Sequence, residues 1–281
     1  MRAAWRALRR SPVLLVGVAM LSIVVAVGVL APWISPYPPR AITGEVFESP
    51  SAEHLLGTNN AGSDILSRLI WGSRTTLVVA VSVTLMVLVI GIALGLTAGL
   101  RGGLVDSSVM RLVDLFLGLP LLPLLIFVGA LAGPSLPASV VMIGLFLWPQ
   151  TARIVRSQAL SLRSRGFVST ARGFGGGPAY VIRRHLIPAL GPVIAANLVF
   201  VAGVAVAIES GLSFLGLGDP AAVSWGAELE RAVSSDQIQF GTLWLWWMAP
   251  FGLALTFAIF GFSLIGVALE PRFNPRSGRA Q

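Results

Sequence analysis

The sequence contains no cysteine and no lysine among its 281 residues. The first absence excludes disulfides, thiolate metal sites and cysteine nucleophiles. The second excludes a P-loop, whose lysine reaches the β- and γ-phosphates of a nucleotide, so the chain does not hydrolyse ATP by itself in that way. Histidine is nearly missing, with only His54 and His185, too few for a histidine-rich metal site. Charge is scarce too: Asp, Glu, Lys and Arg make up 11% of the chain, against about a quarter in a soluble domain.

Apolar residues fill the rest. They account for 55% of the sequence, and mean hydropathy is +0.84, the composition of a membrane protein. Charge-free windows run 11–39, 75–100, 115–152, 185–208 and 237–269. A membrane-crossing helix needs about 20 apolar residues, so four windows fit one helix each. The 115–152 window would be about 57 Å long as a single helix, nearly twice the hydrocarbon core. Gly133, Pro134 and Pro137 interrupt it, which predicts a hairpin of two spans, the second running on through Trp148 and Pro149. The expected fold is all-α and polytopic, with six transmembrane helices and both termini on one side. The first apolar run reaches Trp33 without a clean small-residue cleavage site after it, so it reads as a span and not as a signal peptide.

Arginine distribution orients the spans. Residues 1–10 carry +4, 101–114 are neutral, 153–184 carry +7 and the tail +2; the alternating segments 40–74 and 209–236 carry −1 and −4. The positive excess marks the cytoplasmic side, and this distribution argues against nucleic acid as the reason for a net charge of +8. The predicted organisation is a cytoplasmic lead at 1–10, a first span at 11–34 and an extracytoplasmic segment at 35–74. A core at 75–268 follows, containing a cytoplasmic loop at 159–187 and an extracytoplasmic segment at 209–240, before a cytoplasmic tail at 269–281.

The loop is unusual. Within "RGFVSTARGFGGGPAYVIRRHLIP" (165–188), Phe167, Ala171 and Phe174 fall at i, i+4 and i+7, one face of a short helix. Ser169, Thr170 and Arg172 lie off that stripe. Gly175–Gly176–Gly177 ends the helix, and Pro178 suits the first position of another. Seven arginines and no acid lie within 153–184. From the residues alone, two readings stand: a helix on the headgroups with its phenylalanines in lipid, or a helix docked in the groove of a soluble partner.

The stretch resembles the "EAA" cytoplasmic loop of ABC-importer permeases. Ser169–Thr170–Ala171 occupies the three-residue motif, following Gly166 and Phe167, with Gly175 as its glycine and Ile187–Pro188 as the terminal pair. Ser169 stands where many relatives have glutamate, and His185 where isoleucine is frequent. "HLLGTNNAGSDILSRLIWGSRTTL" (54–77) is similar to the segment before the second span in the dipeptide/oligopeptide/nickel permease family. "ESGLSFLGLGDPAAVSWGAELERA" (209–232) is similar to that family's segment after the fifth span, and "FSLIGVALEPRFNPR" (262–276) to its ending. The resemblance covers the chain from about residue 54 and is to the second of the family's two permease subunits.

It implies the type I ABC importer permease fold in a bacterial or archaeal inner membrane. The implied partners are a homologous second permease, two ATPase subunits or a fused pair, an extracytoplasmic substrate-binding protein, and lipid. ATP and Mg would sit on the ATPases, with no cofactor or metal on this chain and no catalytic residue. The implied coupling residues are Gly166, Phe167, Ser169, Thr170, Ala171, Arg172, Phe174, Gly175 and Pro188. The family-like outer segments contribute Gly57, Thr58, Asp64, Ser67, Arg68, Glu209, Ser213, Phe214, Leu215, Gly216, Trp225 and Gly226. The implied cargo is di- or oligopeptides, with nickel chelates or other peptide-like solutes as alternatives. A stand-alone secondary transporter or channel would need intramembrane charges, and only Glu209 stands near membrane depth. An intramembrane enzyme would need a paired set of catalytic groups that the spans lack.

Other features carry expectations of their own. Asp64 and Arg68, at i and i+4, predict a surface pair if helical, worth about 0.3–0.5 kcal/mol. Glu209 reads as an ion-paired or interfacial group, with contact to cargo as the alternative, and residues 223–240 as an interfacial helix whose acidic face is solvated or meets a binding protein. The aromatic run at 244–247 reads as a belt at the outer interface. Gly91, Gly95 and Gly99 form a small-residue stripe suited to close helix packing, and Pro149 and Pro188 read as kink and boundary residues. Residues 211–220 either re-enter the membrane or pack over its outer mouth.

Overall fold

The computed structural model describes residues 11–163, 165–166, 170, 173–175, 177–239 and 241–273. Its helices are α1 (Pro12–Ile34), α2 (Ile65–Arg101), α3 (Gly103–Gly118), α4 (Leu121–Ala132), α5 (Leu136–Arg163), α6 (Pro178–Val181), α7 (Ile187–Phe214), α8 (Trp225–Val233), α9 (Leu243–Trp246) and α10 (Met248–Phe273). A π-helical turn, Ile182–Leu186, joins α6 to α7. Among the described residues there is no β-strand, only an isolated bridge between Thr58 and Asp64. Among the described residues five helices are long and apolar enough to cross a membrane, and α3 with α4 makes a sixth crossing if that bent pair counts as one.

The third span differs from the expected hairpin arm. The break at Gly133 is present, with φ of +80° that a side chain would strain. The arm before it, however, is broken again, and α3 and α4 meet at 88°. Proline explains the corner: Pro120 forces Leu119 out of the helical region, to φ −85° and ψ 141°. At 12 residues, α4 is only about 18 Å long and cannot cross the hydrocarbon alone. The arm also starts earlier than its charge-free window, because Asp106 and Asp114 are neutralised by Arg156 and Arg153 of α5.

Helix α2 likewise starts at Ile65, ten residues ahead of its window. Asp64 caps it, accepting from the Ser67 amide at 2.7 Å. At 37 residues it is the axis of the bundle, packed on α5, α7 and α1. Lipid gives helices no apolar reason to associate, so close backbone approach through small residues matters most. The glycine stripe does this within the chain. A Cβ at Gly91 would stand 2.8 Å from Thr151 Cγ2, at Gly95 2.6 Å from the Ala152 carbonyl oxygen, and at Gly99 2.8 Å from Ala159 Cβ. The Thr151 hydroxyl in turn donates to Asn197 Oδ1 at 2.7 Å, tying α5 to α7.

The last helix closes the bundle. Helix α10 lies against α7 and α1, and Gly17 of α1 sits so near α10 that a Cβ would be 2.9 Å from Ile265 Cγ1. Of the expected aromatic belt only Trp244 is well exposed, while Trp247 is fully buried with Phe251 in a cluster that includes Phe47 and Leu56 of the segment before α2. Pro149 lies inside α5 and Pro188 in the first turn of α7.

Candidate functional site

Two assemblies hold the residues singled out in the sequence, one at each end of α2. At the arginine-rich end stands the elbow between α5 and α7. Of its residues, Phe167, Ser169, Ala171 and Arg172 lie outside the described set. Thr170 and Phe174 close one helical turn, the Phe174 amide donating to the Thr170 carbonyl at 3.0 Å. Gly175 then takes φ of +82°, and α6 follows. Gly166 precedes the turn and is exposed.

The second arm of this elbow is anchored. Val181 and Leu186 are buried against Leu96 of α2, Val155, Ala159 and Leu162 of α5, and Leu190 of α7. Phe174 is 88% exposed, an aromatic side chain standing free at the tip of a fixed element. Pro188, at the start of α7, has no amide hydrogen to lose there. The π-helical turn before it packs one extra residue into the helix and resets its register.

At the opposite end, the segment before α2 and the segment after α7 fold into one polar assembly. Gly57 adopts φ of +72°, and a Cβ there would lie 2.3 Å from the Glu48 carbonyl oxygen. The Thr58 hydroxyl donates to the Glu45 carbonyl and accepts from the Glu48 amide at 2.9 Å. Ser67 Oγ accepts from the Tyr37 amide at 3.0 Å. Asp64, besides capping α2, holds His54 Nδ1 at 3.0 Å, and both side chains are buried.

The expected Asp64–Arg68 surface pair does not form. Both residues are buried, and they face different partners. Arg68 reaches 160 positions along the chain, its Nε donating to Glu228 Oε1 at 2.7 Å and its Nη1 to the Pro39 carbonyl at 2.7 Å. Arg231 binds the same Glu228 oxygen. Glu228 of α8 is wholly buried and so takes no part in a solvated acidic face, whereas Glu230 of the same helix is half-buried. Its first residue, Trp225, is buried as well, donates from Nε1 to the Leu69 carbonyl at 2.9 Å, and covers Gly72, where a Cβ would stand 2.4 Å from the indole.

Among the described residues Glu209 has no ion-pair partner. It is 4% exposed and lies in a cradle of hydroxyls, Ser213 Oγ donating at 2.7 Å and Ser210 Oγ at 3.4 Å, with Ser224 also facing it. Gly226 brings α8 onto this turn so closely that a Cβ would be 2.3 Å from the Ser210 carbonyl oxygen.

Beyond it, Phe214 and Leu215 are exposed. Gly216, at φ +77°, ends α7 in a Schellman motif: its amide donates to Ser213, and that of Leu217 to Leu212 at 2.9 Å. The chain then packs across the neighbouring hairpin, where Asp219 Oδ2 accepts from the Leu136 amide at 3.1 Å.

The structure therefore joins Asp64, Ser67 and Arg68 to Trp225, and Glu209 and Ser213 to Gly226. Sequence reasoning passed over His54, Gly72, Ser224, Glu228 and Arg231 as members of this assembly. The long-range pairing of Arg68 with Glu228 would have disclosed Glu228 and Arg231, whereas His54 enters through Asp64 and Ser224 through Glu209. Among the described residues, no group of His, Asp and Glu is arranged to hold a metal ion.

Residues 91–278 match the family described as "binding-protein-dependent transport system inner membrane component". Residues 1–52 match the "N-terminal TM domain of oligopeptide transport permease C". The dipeptide transport system permease protein DppC of Bacillus subtilis is 32% identical over 278 residues, covering 98% of this chain and 86% of that protein. A protein of Brucella suis named as a peptide permease is 36% identical over 248 residues, covering 87% and 80%. A second from the same organism, named as a peptide transport system permease, is 34% identical over 267 residues, covering 93% and 87%.

Proposed function

The chain belongs to the family of binding-protein-dependent transport system inner membrane components, and from that membership we propose that it is the C-type permease subunit of an ATP-driven importer of di- or oligopeptides. The relatives are peptide permeases by name, which supports that cargo. Its partners in this reading are a second permease, two ATPase subunits that bind ATP and Mg, and an extracytoplasmic binding protein. The arginine distribution supports cytoplasmic termini.

One observation carries the mechanism. The elbow between α5 and α7 is fixed on its inner arm by Val181 and Leu186, and presents Phe174 free at its tip. An anchored element of that kind transmits displacement as a rigid body. When the ATPases close, a groove gripping the tip moves the elbow, and α2, α5 and α7 move with it because Leu96, Leu162 and Leu190 share one apolar cluster. The chain supplies position and leverage, and the chemistry is done elsewhere.

The test is reconstitution of the full assembly in proteoliposomes with peptide uptake and ATP hydrolysis measured together. Phe174→Asp places a charge in the gripping groove, and uptake should fall at least tenfold while Phe174→Leu stays near the parent. Equal uptake in all three, at equal assembly, refutes the gripping role.

A further inference from the structure

Two helices carry polar stripes at a depth where lipid-facing helices are apolar. On α3, Ser107, Arg111, Asp114 and Gly118 recur at i, i+4, i+7 and i+11, and all are exposed. On α5, Gln150, Arg153 and Ser157 recur at i, i+3 and i+7, and these are exposed as well. The stripes meet where Arg153 Nη2 donates to Asp114 Oδ1, in a pair whose side chains are 48% and 65% exposed. Off these stripes the same helices expose apolar side chains, Val105 and Leu112 on α3 and Val141 and Leu145 on α5, while Leu104 and Leu115 share the α3 stripe with Ser107 and Arg111.

Depth follows from the packing of α5 on α2. Thr151 lies against Gly91, and Ala152 and Val155 against Gly95, so Arg153 stands beside the charge-free stretch of α2. Exposed ionic groups at such a level are costly in hydrocarbon and face a water-filled cavity or a bundle interior instead. On the side away from the elbow the polar run stops at an aromatic cluster, where Phe116 meets Phe146 at 5.5 Å and Trp148 at 5.8 Å. Arg111 pairs with no acid among the described residues.

We propose that Ser107, Arg111, Asp114, Gln150, Arg153 and Ser157 form this subunit's wall of the aqueous solute path on the elbow side, with Arg111 receiving the carboxylate of a passing peptide. The carboxylate role rests on the peptide reading above; the aqueous wall does not. An arginine held beside a neutralised Asp–Arg pair leaves one net positive charge on the wall, and its planar fork suits a carboxylate.

The absence of native cysteine makes the test direct, since each introduced thiol is unique in this chain. Ser107→Cys, Gln150→Cys and Ser157→Cys are placed in the reconstituted complex, with Val141→Cys and Leu145→Cys as lipid-facing controls. Inside-out vesicles receive a membrane-impermeant cationic methanethiosulfonate, and the mass shift of this chain is followed. The wall positions should label at least tenfold faster than the controls, and their modification should block uptake. Labelling at the control rate overturns the aqueous wall.

For Arg111→Gln, KM for a peptide with a free C-terminus should rise about tenfold with kcat unchanged, while an amidated peptide is little affected; Arg111→Lys should recover part of the loss. A rise shared equally by both peptides overturns the carboxylate role. If the parent complex carries no peptide at all, the cargo reading and the carboxylate role fail together, and the labelling rates still judge the wall.

Discussion

The buried contact between Arg68 and Glu228 makes a quantitative prediction. Two Arg68 nitrogens reach Glu228 Oε1, at 2.7 and 2.6 Å, and the side chains are 8% and 0% exposed. Breaking a buried pair from one side strands a charge, which costs about 3–5 kcal/mol, whereas replacing both partners by apolar groups is often neutral. Glu228→Met should therefore loosen the outer assembly by about 3 kcal/mol or more, Arg68→Met by less because Arg231 still pairs with Glu228, and the double substitution should return most of the Glu228→Met loss. Arg231, with 28% of its side chain exposed, can turn to water when Glu228 is gone.

Hydrogen exchange reads the effect at its source. The amides of Gly57, Thr58, Asn59 and Ile65 all donate within the outer segment, and their exchange reports its opening free energy. A loss of about 3 kcal/mol corresponds to roughly hundredfold faster exchange at about 1.4 kcal/mol per decade. A Glu228→Met protein with unchanged protection, or a double variant no better protected than it, would refute the reasoning.

Three further tests follow from the same geometry. Gly226→Ala places a Cβ 2.3 Å from a backbone oxygen, a clash that no side-chain rotation relieves; it should cost about 1–3 kcal/mol, read as a lower yield of intact protein after a heating step in detergent. Gly95→Leu should separate α2 from α5 and abolish assembly with partner subunits in co-purification, whereas Gly191→Ala, with no atom within 4 Å of its Cβ position, should not. Glu209→Leu removes the acceptor of the serine hydroxyls and should cost about 1–3 kcal/mol, with Glu209→Gln close to the parent because its amide oxygen still accepts; equal heat resistance of all three proteins would count against the cradle.

What was legible in the sequence follows from the range of the interactions involved. The glycine stripe could be read because its meaning is local: residues four apart share a face, and small residues on one face mean a close neighbour. The breaks at Gly133 and Gly175 are local as well, and both stand at positive φ. Charge misled wherever its partner was distant. Arg68 seemed to belong to Asp64, and Asp106 and Asp114 seemed to lie outside a span. Each is neutralised by a residue 39 to 160 positions away, so α3 extends past Asp114, the charge that was taken as its limit. Glu209 misled in the opposite sense, since serines and not an ion satisfy it.

Those unexpected extensions matter to function. Because α2 continues to Ile65, a helix of 37 residues without an internal proline, about 55 Å long, joins the two assemblies. At one end Arg68 holds Glu228 of α8, and at the other Leu96 packs against the arm of the elbow. A span trimmed to the apolar window would have left the outer segment on a flexible tether. With α2 running through, the outer segment and the elbow are fixed to opposite ends of one rod, and in the proposed mechanism displacement of either end is felt at the other. The geometry then requires the Arg68–Glu228 contact for transport as well as for stability. A complex carrying Glu228→Met should hydrolyse ATP while moving peptide at least tenfold more slowly, and the double Arg68→Met/Glu228→Met protein, with the outer segment docked again by apolar contact, should regain much of that rate.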